Sequence, residues 1–176
     1  MSSIYERVTR QYVAQDRIAA YLHREGIHFE KWDADFTPAF VNEKIAFSEV
    51  EKQQLLAIYE EQIVEFAQKR GYTKWDIAVL SVETPDMLQK FGDVHYHKED
   101  EVRIVVAGKG VFIIKSLHGD HYFELGVSIG DVVVVPQGRY HAFKLANERK
   151  FAVVRLFSGE VGSVTYPVTD LSFHVK

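Results

Sequence analysis

The sequence predicts a mainly β protein, an antiparallel sandwich or barrel with helices packed on its outside. Two observations carry this. From residue 76 to 157 the chain is a succession of short runs rich in β-branched and aromatic residues, punctuated by Gly108, Gly110, Gly119, Gly130 and Gly138. Before residue 76 the apolar residues recur at helical spacing instead. A chain of 176 residues is enough for one domain with a sizeable core. The expected organisation is a single domain over 1–176, with an N-terminal helical extension over 1–91 and a barrel core over 76–160.

Val13, Ile18, Tyr21 and Leu22 can share one helical face, and Gly26 is placed to stop that helix. Residues 27–32 then alternate apolar and polar like a short strand. After a polar, proline-containing connection, the clearest helix spans 48–70. Ser48 and Glu51 form a capping box at its start, each satisfying a backbone N–H of the other. Leu56, Tyr59, Ile63, Phe66 and Ala67 make its apolar stripe. Lys69 and Arg70 suit the negative end of the helix dipole, and Gly71 suits a left-handed cap. Strands are expected at 76–82, 101–107, 111–116, 120–125, 131–135, 141–145 and 151–157.

Composition narrows the function. Lys and Arg number 21 against 25 Asp and Glu, a net charge of −4, and the cations are scattered among carboxylates. Neither a nucleic acid nor an anionic membrane is an expected partner. The absence of cysteine excludes disulfides and every thiolate metal site. The N-terminal residues reach no apolar run, and the longest purely apolar stretch, 132–136, is far too short to span a bilayer. A monomer in the cytoplasm is expected.

Of eight histidines, His23, His28, His118 and His121 read as ordinary core or surface residues, and His174 lies near an end expected to fray. The stretch 95–101 is different. On a strand His95 and His97 point to one face while Tyr96 and Lys98 point away, and Glu101 keeps the same parity. His141, which opens a later strand after the turn Pro136, Gln137, Gly138, can close the site from a neighbouring strand. Three imidazoles and a carboxylate suit a divalent first-row metal such as iron, nickel, manganese or copper. Calcium or magnesium would want more oxygen ligands. Four protein ligands leave two octahedral positions for a chelating substrate. Arg103 shares the inward parity and could neutralise an anionic ligand beside the metal. Arg155, in an otherwise apolar strand, is either a second such contact or a structural ion-pair partner.

His95-x-His97-x3-Glu101-x6-Gly108 resembles the first cupin motif, and Gly130-x5-Pro136-x-Gly138-x2-His141 resembles the second. They imply a cupin double-stranded β-helix, a jelly-roll barrel, with the metal inside. Segments 26–35 (GIHFEKWDAD), 70–77 (RGYTKWDI), 99–103 (EDEVR), 108–110 (GKG) and 154–157 (VRLF) resemble the acireductone dioxygenases, in that family's order. This wider resemblance covers about three quarters of the chain. It implies an oxidoreductase of methionine salvage that cleaves 1,2-dihydroxy-3-keto-5-methylthiopentene with O2. One iron(II) or nickel(II) per chain would be held by His95, His97, Glu101 and His141. With iron the family yields formate and 4-methylthio-2-oxobutanoate; with nickel it yields carbon monoxide, formate and 3-methylthiopropanoate. Phe91 and Phe143 stand where the family has aromatic residues near the substrate. The chain departs from the family at Val94, where relatives carry glutamate, and at Ser163, where they carry tryptophan. Another cupin oxygenase or isomerase, or a non-catalytic metal-binding cupin, is the alternative.

Overall fold

Two antiparallel sheets face each other in a computed structural model that describes residues 2–34, 36–159 and 164–175. The elements, in order, are β1 (Ser3–Glu6), β2 (Gln11–Tyr12), α1 (Ile18–Arg24), β3 (His28–Lys31), α2 (Ala39–Glu43), α3 (Glu49–Ile58), α4 (Glu60–Arg70), β4 (Lys74–Ser81) and α5 (Pro85–Gly92). Then follow β5 (His95–Tyr96), β6 (Glu101–Gly108), β7 (Gly110–Lys115), β8 (Tyr122–Val127), β9 (Asp131–Val135), β10 (His141–Leu145), β11 (Lys150–Phe157) and β12 (Tyr166–Pro167). One sheet has the order β12-β5-β10-β7-β8-β1-β2 and the other β3-β9-β6-β11-β4. The chain thus crosses between sheets repeatedly, as a jelly roll does.

Strand parity explains the packing. Val105, Val133, Val135 and Val153 point between the sheets and meet Phe112, Ile114, Phe123, Leu125 and Phe143 from the opposite side. The alternate residues of the five-stranded sheet, Val102, Ile104, Val106, Val132, Val134, Val154 and Leu156, face outward. They are covered by Leu55, Tyr59, Ile63, Phe66 and Ala67 from α3 and α4. This sheet is therefore buried on both faces, and β9 reads as an unbroken valine run for that reason.

The helices differ from expectation in one respect. The capping box at Ser48 forms, and Gly71 takes the left-handed conformation (φ 80°), but the expected single helix is broken at Tyr59 (φ −101°, ψ 6°). Leu55, Tyr59 and Ile63 recur every four residues, a spacing that drifts round a straight helix of 3.6 residues per turn. The break resets the phase so that all of them reach the core. Leu55 rather than Leu56 is the buried leucine of α3.

Segments near both ends pair with the barrel in ways the sequence does not suggest. β1 pairs with β8, burying Ile4 completely. β12 pairs with β5, and the segment beyond it, expected to fray, is pinned where Asp170 accepts hydrogen bonds from Lys115 Nζ (2.7 Å) and the Tyr122 hydroxyl (2.8 Å).

Ile63 is fully buried between α4 and the five-stranded sheet. Ile63→Ala is expected to cost about 2 to 5 kcal/mol, read as a lowered denaturant midpoint. Metal binding by the folded variant should be unchanged.

Candidate metal centre and pocket

His95 and His141 sit opposite each other on paired strands β5 and β10, with ring centroids 4.5 Å apart. His97 follows just after β5, its ring 5.1 Å from His95 and 5.2 Å from His141. Gly138 N–H donates to the His97 carbonyl (2.8 Å), tying the second motif's turn to the first motif. The ligand atoms of the three histidines lie within 4.8 Å of one another, and all three residues are buried. Glu101 arrives differently from the expectation. The chain turns between 97 and 101 and crosses to the other sheet, so continuous strand parity does not link His97 to Glu101. Glu101 opens β6 and meets the histidines from across the barrel, with Oε2 3.7 Å from His97 Nε2 and in contact with His141 Nε2.

The protons define the chemistry. His95 Nδ1 lies 2.7 Å from the Asp93 carbonyl, His97 Nδ1 2.9 Å from that of Val164, and His141 Nδ1 2.8 Å from that of Arg139. A carbonyl only accepts, so each Nδ1 carries the proton and each Nε2 presents a lone pair to the centre. Burial pushes the His95 pKa down to about 4, and burial lowers that of His97 as well. Burial alone would raise the Glu101 pKa. The Arg103 guanidinium, whose Nη2 lies 2.9 Å from Oε1, leads the interactions that overcome this and hold it well below the usual carboxylate range.

The inward-facing Oε2 of Glu101 and Nε2 of His141 are sealed from solvent and have no hydrogen-bond partner among the described residues. With the His141 proton on Nδ1, their contact brings two acceptors together. Converging lone pairs and a carboxylate repel one another unless a cation sits among them, so the donor set fits a divalent metal.

A pocket of about 50 Å3 opens from this centre. The sequence-selected Arg103, Arg155, Phe91 and Phe143 all line it, together with His95, Glu101 and His141. Arg103 is buried, and its Nη1 donates to the Val102 carbonyl. Arg155 stands beside Arg103 in register on β11 and is held by Asp76 of β4 through Nε (2.8 Å) and Nη2 (2.6 Å). It is thus both a pocket residue and one half of an ion pair. The Phe91 ring lies 5.9 Å from that of His95, and Phe143 packs on Phe112 and Phe151. Gly110 makes room for Phe143, since a Cβ there would sit 2.4 Å from its ring.

Sequence reasoning missed Leu80, Met87, Phe112, Phe151 and Val153, which line the same pocket. Strand parity could have found two of them, because Phe151 and Val153 share Arg155's face. The histidines set aside lie elsewhere: His28 pairs with Glu30, and His118 contacts the Arg24 carbonyl. Val94 packs with Ile113, Tyr122 and Ala142, away from the centre. Ser163 lies outside the described residues.

Fold and site together define a metal-binding cupin. The ARD/ARD′ family model matches residues 16–165. An acireductone dioxygenase of Geobacillus kaustophilus is 39% identical over 174 residues, covering 97% of each chain. One of Bacillus subtilis is 35% identical over 81% of this chain and 82% of its own. Among solved structures, an acireductone dioxygenase from Bacillus anthracis with a cadmium ion in its active centre superimposes with a TM-score of 0.86 at 29% identity, covering 96% of this chain and 98% of that one. The chain belongs to the ARD/ARD′ family.

The histidine shifts set a pH dependence for the metal-free protein. Between the lowered His95 value of about 4 and its ordinary 6.5, the unfolded chain binds more protons than the folded one. Stability therefore rises with pH across that window and is complete above it. Glu101 acts in the same direction, because its contribution is present above its ordinary 4.5 and is lost as pH falls through its lower folded value. Urea unfolding of metal-free protein should show a midpoint that climbs from pH 4.5 to 6.5 and then levels. A flat profile would show that the buried imidazoles cost nothing to keep neutral.

Proposed function

We propose that this protein cleaves acireductone, 1,2-dihydroxy-3-keto-5-methylthiopentene, with O2, using one metal ion held by His95, His97, Glu101 and His141. The observation that carries the reading is the convergence of three Nε2 lone pairs and one carboxylate at the charged end of an apolar pocket. Extensive similarity to proteins named for that reaction supports it.

A metal held by His95, His97, Glu101 and His141 would supply a positive charge that polarises the substrate's oxygens and stabilises its enediolate. The chain's own residues do the rest. The carbonyls of Asp93, Val164 and Arg139 orient the imidazoles, so the donor atoms need little rearrangement. Arg103 anchors Glu101 through Nη2 and keeps further N–H groups for an anionic substrate. Arg155, fixed by Asp76, adds a second positive charge beside it. Phe91 and Phe143 exclude water from the reacting enediolate.

The same ligand set accepts iron or nickel. The affinity order favours nickel, so supply in the cell decides between formate with 4-methylthio-2-oxobutanoate and carbon monoxide with formate and 3-methylthiopropanoate. A cytoplasmic, monomeric role in methionine salvage fits this chemistry.

Metal-free protein reloaded with iron(II) or nickel(II) is expected to consume oxygen with acireductone and to give those two product sets. No turnover with either metal fully bound would overturn the reading. His97→Ala and His141→Ala should lose metal and keep the β-sheet circular dichroism of the parent, and full occupancy in either would remove that residue from the ligand set. Arg103→Lys retains a charge but not the guanidinium fork. It should keep the metal and lose on the order of a hundredfold in kcat/KM.

A further inference from the structure

The pocket is polarised along its length. On the inner face of the five-stranded sheet, one cross-strand row is Asp76, Arg155 and Arg103. Two residues further along the strands, about 7 Å away, the row becomes Ala78, Val153 and Val105; the next pairs Leu80 with Phe151. The facing sheet changes in the same direction, from His95 and His141 to Phe112 and Phe143. On the two sheets, one end of the pocket is thus polar and charged, and the other is hydrocarbon.

α5 spans the two ends. Phe91 and Met87 are one turn apart on one face, about 6 Å along the axis, and both line the pocket. Phe91 is at the metal end, where its ring faces His95. Met87 is near the helix start, six residues after β4 ends at Ser81, next to Leu80, and so belongs to the apolar end. α5 buries none of its residues fully, and Met87 is 40% exposed, so its side chain stands between the pocket and solvent.

We propose that Met87 is a specificity-determining residue that closes the apolar end of the pocket and sets the length of the unbranched tail the site accepts. The inference rests on the proposed function for the direction of the substrate, with its oxygens at the metal and its thioalkyl tail toward Met87. An unbranched thioether with rotatable bonds suits such an end wall, because it adapts to a flexible tail without a fixed shape.

The test uses nickel-loaded protein and straight-chain 2-oxo acids of four to eight carbons, chelating ligands that differ only in tail length, with affinity measured by calorimetry. In the parent, affinity should rise about fourfold per added methylene while the tail fills the pocket, then stop rising where it meets Met87. Met87→Ala should move that break to longer acids, and Met87→Trp should move it to shorter ones. The four-carbon acid should bind all three proteins equally, which also certifies folding and metal loading. A break at the same length in all three proteins would overturn the role of Met87, and so would equal weakening of every acid. Acireductone turnover is measured on the same preparations. Failure there, with the tail-length shift present, would count against the reaction and leave the role of Met87 standing.

Discussion

The proton position on three histidines is the constraint from which the rest follows. Each imidazole gives its Nδ1 proton to a backbone carbonyl and turns an unprotonated nitrogen inward. That arrangement requires neutral rings, which burial enforces by lowering the pKa values of His95 and His97. It also requires the acceptor carbonyls to be held still. Those of Asp93 and Arg139 lie two residues before their histidines, so local chain direction supplies them. The third comes from Val164, 67 residues along the chain, and is delivered by a terminal segment that pairs with β5 and is pinned at Asp170. The segment carrying Val164 thus takes part in orienting His97.

The two sheets divide the work. The seven-stranded sheet contributes the histidines from β5 and β10. The five-stranded sheet contributes Glu101, Arg103 and Arg155, each in cross-strand register with its neighbours. The helices α3 and α4 act indirectly. By covering the outer face of the five-stranded sheet, they let its inner face carry charge without exposing its valines to water.

Much of this was legible because residue type reports strand parity. The seven barrel strands fell close to their expected positions, since Gly and Pro mark the turns and β-branched residues mark the runs between. The histidine pair, Glu101, His141 and Arg103 stood out by spacing. Glu101 comes beside the histidines by a different route from the expected strand parity, because a turn that residue types do not announce carries the chain across the barrel. β1 and β12 were not legible at all. A four-residue strand with one buried isoleucine and a two-residue strand have no periodicity of their own, and long-range pairing holds them. The Nδ1 acceptors were equally hidden, since every residue has a carbonyl and only the fold decides which one faces a histidine. Tyr59 illustrates the same limit within a helix, where tertiary burial overrides a pattern that reads as continuous.

A core that gathers lone pairs and a carboxylate conflicts with the rule that buried polar atoms find partners. Among the described residues, Glu101 Oε2 and His141 Nε2 show that conflict, buried and touching at the centre. Glu99 Oε2, two residues before Glu101, is likewise buried without a hydrogen-bond partner among those residues, whereas Arg7 meets Glu124, and Glu25 accepts from Ser116 and the Leu117 N–H. At Glu101 and His141 a cation would satisfy several groups at once, because the three histidines converge there. Placing a divalent ion there turns mutual repulsion into shared attraction and links the two sheets across the barrel. A divalent ion held by residues from both sheets would couple metal binding to barrel stability, because the unfolded chain does not gather those donors.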